Sequence, residues 1–325
     1  MDPGAPALTR RDVSRLAGAL LVAQLRAANP GFPSRNIDFI IPKAPGGGFD
    51  SLVRVIAPPL ENYLPRKVHV IPDNIPAGGG GKGISQLYRA APDGYTLGVV
   101  DIPGSFILQA QQHGADFDLN KLTWLCSLGE PEYMCIAVGE SSPLKSFEEL
   151  RKLSSARPVK FTSSGPEGTA YAAALVGAAL LGIRTQLITG YKGSSDYVIG
   201  AIRGDGDAVI ASLNAIRPFE KAKTIRVLAT FEPHGSFPGV PDAAALHRPE
   251  LSKILLERMV AAPPGLPAGI KSILAAALHK SLADPKAVSL AKKLDVELVA
   301  NSPEQTAERI QQSAAFFDTW KKYFL

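Results

Sequence analysis

The groups in this sequence best suited to hold a ligand are backbone amides, not reactive side chains. Three stretches place small residues just before an apolar helical pattern: Gly46-Gly47-Gly48-Phe49-Asp50, Ser163-Ser164-Gly165 running on to Thr169, and Gly190 to Ser194. A helix start there presents N–H groups without partners and the positive end of a dipole, which together favour an anion such as a carboxylate. The N–H groups of Gly47, Gly48 and Phe49, and those of Ser163 to Gly165, are the expected donors. The hydroxyls of Ser163, Ser164 and Thr169 can add to them. Asp50 cannot favour a bare carboxylate; it would accept from water, from a ligand hydroxyl or amine, or cap its own helix. Phe49 offers an apolar face, which leans toward an acid with an aromatic or hydrocarbon body.

Constellations for catalysis are missing. The chain has no G-x-S-x-G and no H-E-x-x-H, and its five histidines are dispersed. Gly78 to Gly83 formally contains G-x-G-x-x-G, with Asp101 further on. In the dinucleotide fingerprint the glycines follow the strand directly, whereas here 72–76 intervenes. A phosphate loop fails too, because Gly83 follows Lys82 where a metal-holding hydroxyl belongs. Asp50, Asp101 and Asp207 each end or follow a glycine turn, and turn chemistry alone can explain them. Cys126 and Cys135 are either small buried apolar residues or a disulfide across a hairpin, since both flank Gly129-Glu130-Pro131. Two thiols without nearby histidine cannot complete a zinc site. No cofactor and no metal are expected. The net charge of +5 suits an anionic ligand, although an ordinary soluble surface explains it equally. No basic cluster with interleaved aromatics points to nucleic acid.

These loops need elements to aim them. Ile37 to Ile41 is an apolar run that stops at Pro42 and reads as a buried strand. Apolar residues at Leu52, Val53, Ile56 and Leu60 have helical spacing. Strand, small-residue loop and helix recur: 68–71, 74–81 and 84–90; 159–162, 163–169 and 170–181; 185–188, 190–194 and the residues after Ser195. Further strands are expected at 95–100, 208–210, 225–229 and 296–299. Residues 122–138 read as two adjacent extended runs, and 147–153 as a short helix. Ile270 to Leu282 is amphipathic, and Ser302-Pro303-Glu304-Gln305 opens a last helix running to about Tyr323. Alternation of this kind predicts α/β sheets covered on both faces. The 325 residues favour two lobes. Strands 134–138 and 225–229 are the expected crossings between them, and therefore the hinges.

The amino-terminal 1–30 reads as an export signal, or else as a disordered or amphipathic segment. Thr9-Arg10-Arg11-Asp12-Val13 carries a twin arginine, Leu16 to Leu25 is mainly apolar, and Ala27-Ala28 follows. The apolar run is too short to span a bilayer.

Beyond these local readings the sequence resembles a family. Pro45 to Asp50 with Arg54, Asn74 with Ala77-Gly78-Gly79 and Gly83, and Pro92-Asp93-Gly94-Tyr95-Thr96-Leu97 look like the tripartite tricarboxylate transporter receptors, also called Bug proteins. Tyr191-Lys192-Gly193-Ser194, the Gly204 to Asp207 turn, 225–229, Phe237-Pro238-Gly239-Val240-Pro241 and 262–267 match in the same order. The resemblance implies a two-lobed periplasmic binding protein of type II with the ligand cleft between the lobes. Residues 31–132 and 231–325 would form the first lobe and 133–230 the second. It further implies a ligand site made by Gly46 to Asp50, by Ser163, Ser164, Gly165 and Thr169, by Tyr191, Gly193 and Ser194, and by Asp207; Asp101, after its own glycine turn, is a further candidate. Such a receptor would be a periplasmic monomer that takes a di- or tricarboxylate or an aromatic acid to large and small permease subunits in the membrane. Two positions depart from the family's pattern: Phe49 sits where a small or polar residue is common, and Lys43 precedes the loop. The competing readings are a binding protein that feeds a membrane sensor and a cofactor-dependent α/β enzyme.

Overall fold

A computed structural model describes residues 31–111, 116–166 and 168–324. The amino-terminal export reading, and Glu167 in the second-lobe loop, lie outside them.

Among the described residues, ten strands form one hydrogen-bonded array that divides into two sheets at a narrow seam. In the first, β2 (Val70–Asn74), β1 (Ile37–Ile41), β3 (Thr96–Ile102), β10 (Leu255–Ala262) and β4 (Thr123–Ser127) lie side by side. In the second the order is β7 (Thr185–Ile188), β6 (Val159–Thr162), β8 (Ala208–Ser212), β5 (Glu132–Gly139) and β9 (Ile225–Thr230). Within each, the strands joined in sequence by a crossover helix run parallel, and the crossing strands β10 and β5 run antiparallel to their neighbours. Thus β1 pairs in parallel with β2 and β3, and β6 with β7 and β8. Among the described residues, only two residue pairs of the strand ladder join the sheets, Leu255 with Tyr133 and Leu256 with Glu132.

The helices cover both faces. They are α1 (Gly48–Tyr63), α2 (Gly81–Arg89), α3 (Gly104–Gln111), α4 (Phe147–Ala156), α5 (Thr169–Leu180), α6 (Ser194–Arg203), α7 (Leu213–Lys221), α8 (Ala268–Leu282), α9 (Pro285–Lys292) and α10 (Pro303–Thr319). On α1 the residues with helical spacing, Leu52, Val53, Ile56 and Leu60, are all buried. On α10, Ser302 and Gln305 form the capping box that the sequence announces. Among the described residues no helix is long and apolar enough to cross a membrane.

Several expectations need correction. The strand pattern misses β10, which runs through the middle of the first sheet. The second crossing is β10 and not β9, because β9 stays in the second sheet against β5. Residues 296–299 form no strand. The two runs at 122–138 are not a hairpin: Cys126 pairs with Val260, and Cys135 with Ala211. The cysteines therefore sit in different cores, both buried and both free, which excludes the disulfide. Burial alone pushes the Cys126 thiol up to about 12. The segment after β9 also packs away from the first lobe. Phe231, Ala243, Leu251 and Ile254 share a core with α5 of the second. The carboxyl end does the same through Phe317 and Phe324, although Ile310, earlier on α10, belongs to a first-lobe cluster.

Candidate functional site

Between the lobes lies a cleft of about 450 Å³. That size suits a small organic ligand. It opens beyond the carboxyl ends of β1, β6 and β8, where such sheets bind their ligands.

Of the helices that start at it, α7 is capped by the Ser212 side chain, which accepts from the Ala215 N–H, and three have glycine caps. Their N-cap residues are Gly47 for α1, Gly168 for α5 and Gly193 for α6, and none makes a side-chain cap hydrogen bond. Away from the cleft, α2 and α8 also lack a side-chain cap, but three other helices have one. Ser146 caps α4, Asp284 caps α9 and Ser302 caps α10 through their side chains. A side-chain cap consumes the first N–H groups of a helix; a glycine cap leaves them for something else.

The first-lobe loop is braced from behind. The Gly46 N–H donates to Asp50 Oδ2 at 2.9 Å, and Arg54 Nε donates to Asp50 Oδ1 at 2.9 Å. Arg54 Nη2 also donates to Asn74 Oδ1, and Asn74 Nδ2 to the Lys43 carbonyl. Burial raises the Asp50 pKa, but the Gly46 N–H, Asn74 and Arg54 outweigh it and hold the carboxyl below its ordinary value. Gly46 turns at φ +81°, in the region that favours glycine. Asp50 is buried and does not line the cleft, so its work is to set the loop. Gly46, Gly47, Gly48 and Phe49 do line it.

At the floor, Asp101 on β3 receives Lys43 Nζ at 3.1 Å and the hydroxyl of Thr169. The second contact crosses between the lobes. The Phe49 ring carries two cations, with Arg258 5.2 Å and Lys43 5.9 Å from its centroid. A face expected to meet the ligand's apolar body thus also positions charge.

The second-lobe loop is a tight turn. Gly168 N–H donates to the Gly165 carbonyl at 3.0 Å. Ser164, Thr169, Tyr191, Gly193 and Ser194 line the cleft, whereas Ser163 and Gly165 lie behind it. Ser163 is fully buried, and its N–H donates to the Ile188 carbonyl. The Tyr191 hydroxyl donates to Asp205 at 2.9 Å, so its ring rather than its oxygen shapes the wall.

Asp207 is misplaced in the sequence reading. It precedes β8 and sits at the amino end of the β6–β8 pair, opposite the cleft. Arg157 holds both its oxygens at 2.7 Å, and the Lys160 N–H adds a third bond. Burial raises its pKa, yet Arg157 and Lys160 hold it below the ordinary value. It is a structural pin.

Arg258, Glu132, Tyr197 and Asn214 also line the cleft, and motif reading missed them. The signal for the first two was present: a charged residue in an otherwise apolar strand asks for a buried partner.

The geometry defines a class: a two-lobed solute-binding protein of type II whose cleft is faced with helix amino-termini. The chain belongs to the tripartite tricarboxylate transporter family of receptors, whose family model matches residues 52–319. Among its relatives is the UPF0065 protein of the tcbD–tcbE intergenic region of a Pseudomonas species (strain P51). The two are 26% identical over 322 residues, covering 96% of this chain and 93% of that one. The fold matches the periplasmic binding protein BugD at a TM-score of 0.74 and 20% identity, over 90% of this chain and 98% of that one. It matches MatC of Rhodopseudomonas palustris, a structure with bound malate, at 0.75 and 20% identity, over 90% and 100%.

Proposed function

We propose that this receptor works outside the cytoplasm, closing its two lobes on a small organic carboxylate and presenting it to large and small membrane permease subunits. The observation that carries the reading is the set of three glycine-capped helix starts, Gly47, Gly168 and Gly193, on one cleft. They offer anion-binding N–H groups from both lobes, so one ligand can bind to both and hold them together. The malate in the similarly folded MatC has the chemistry such a cleft would take. Charge-assisted hydrogen bonds contribute about 1.5–3 kcal/mol each, so a few reach micromolar affinity. Thermal shift against a panel of di- and tricarboxylates and aromatic acids tests this. A binder at about a hundredfold excess over its Kd should stabilise the protein by about 2.7 kcal/mol. A panel without a single shift would remove the carboxylate reading. The export reading has its own test. Amino-terminal sequencing of the protein from the cell exterior should find the chain cut before β1, and an intact Met1 on a cytoplasmic pool would refute it.

A further inference from the structure

Arg258 sits on β10, one of the two strands that cross between the lobes, and its side chain is 9% exposed. Strand alternation sends its neighbour Glu257 to the opposite face, beside Arg309 of α10, and turns Arg258 to the cleft. Its Nη1 donates to Glu132 on the other crossing strand, at 2.5 Å. This is the only hydrogen bond the Arg258 side chain makes among the described residues, and its Nε is sealed in without a partner. Nη2 reaches the start of α1, 3.7 Å from where a Cβ would stand on Gly48. Here a guanidinium edge stands beside a helix amino-terminus without a side-chain cap. The guanidinium carbon lies 5.2 Å from the centroid of the Phe49 ring, a cation–π contact that helps hold the group in place.

We infer that Arg258 is the charged anchor of the ligand site, with Nη2 and the adjacent α1 amides holding one carboxylate of the ligand, and Glu132 setting how strongly. A guanidinium can donate from separate nitrogens to two acceptors at once, a geometry that a lysine ammonium does not reproduce. Glu132 holds the group in place, and its negative charge works against an incoming anion. The inference deepens the carboxylate reading above and rests on it.

The test is calorimetry with malate, succinate, adipate and benzoate on the full chain, prepared in the same form for every variant. Glu132→Gln keeps an acceptor for Nη1 and removes the opposing charge. It should bind the acids that the wild type binds severalfold more tightly. Arg258→Gln combined with Glu132→Gln removes both charges without leaving one buried alone. It should bind them about tenfold or more weakly. If Arg258 only supports the hinge, the folded double variant binds within about twofold of the wild type, which overturns the inference. Weaker binding by Glu132→Gln overturns it as well, and that variant decides alone if the double one does not fold. Should the wild type bind none of the four acids, the carboxylate reading falls and this inference with it; should it bind them while the variants behave alike, only the inference falls.

Discussion

The two sides of the cleft solve one problem by different means. The first lobe brings charge: Lys43 and Asp101, and behind Phe49 Arg258, which Glu132 of β5 holds from the other sheet. Its glycines have room, and a Cβ on Gly47 would meet nothing nearer than the Ala44 carbonyl at 3.6 Å. The second lobe brings shape. A Cβ on Gly168 would stand 1.9 Å from Ser164 Oγ and 2.7 Å from its Cβ, so only glycine fits while Ser164 stays in place. One wall is therefore tunable by charge, and the other is fixed by close packing.

The largest expected effect comes from breaking the packed wall. Gly168→Ala should displace the 164–168 turn, lower stability by about 1–3 kcal/mol and weaken ligand binding more than tenfold. Gly193→Ala is the control within the same lobe. Its Cβ would have nothing within 4 Å and its backbone is extended at φ −172°, so stability should not change. Denaturant unfolding of the two variants side by side checks this; equal stabilities would erase the contrast. The next effect lies where the walls touch. Thr169→Val removes the hydroxyl that donates to Asp101 across the lobes and leaves a buried carboxylate oxygen short of a donor. It should cost about 1–3 kcal/mol of ligand binding, read by calorimetry.

The smallest effect tests the brace behind the first wall. The Asp50 carboxyl lies below its ordinary value of 3.8 in the folded chain. The unfolded chain then binds the proton more readily, so the contribution of Asp50 is full above 3.8 and is lost as pH falls through the folded value. Asp50→Asn should flatten that acid limb of the stability curve and leave stability independent of this group. An acid limb identical to that of the wild type would show that the loop does not depend on the brace.

The sequence foretold these regions unevenly. Where a short β-branched and aromatic segment is closed by a small-residue loop, as in 159–162 and 185–188, the reading matches β6 and β7 residue for residue. The glycine and serine loops were legible for the same reason, since small residues before a helix leave a local mark. β10 was not. Glu257 and Arg258 interrupt its apolar run, and its partners β3 and β4 are more than a hundred residues away. The two residues that obscured the strand are the ones that carry charge to α10 and to the cleft. Asp207 failed the other way: its glycine turn is visible in the sequence, but which end of the sheet it occupies depends on strand direction.

The last helix reaches across the lobes beside the strand crossing. Ile310 is fixed in a first-lobe core, while Phe317 and Phe324 are fixed in the core of the second. Gln111 Nε2 donates to the Phe324 carbonyl and ties the chain end down. In mechanical terms α10 is a strut pinned at both ends, laid across a joint of two residue pairs. Such a joint is soft in rotation, and a strut across it limits travel. The aromatic pins would thus set how wide the mouth can gape, and with it the largest solute that can enter.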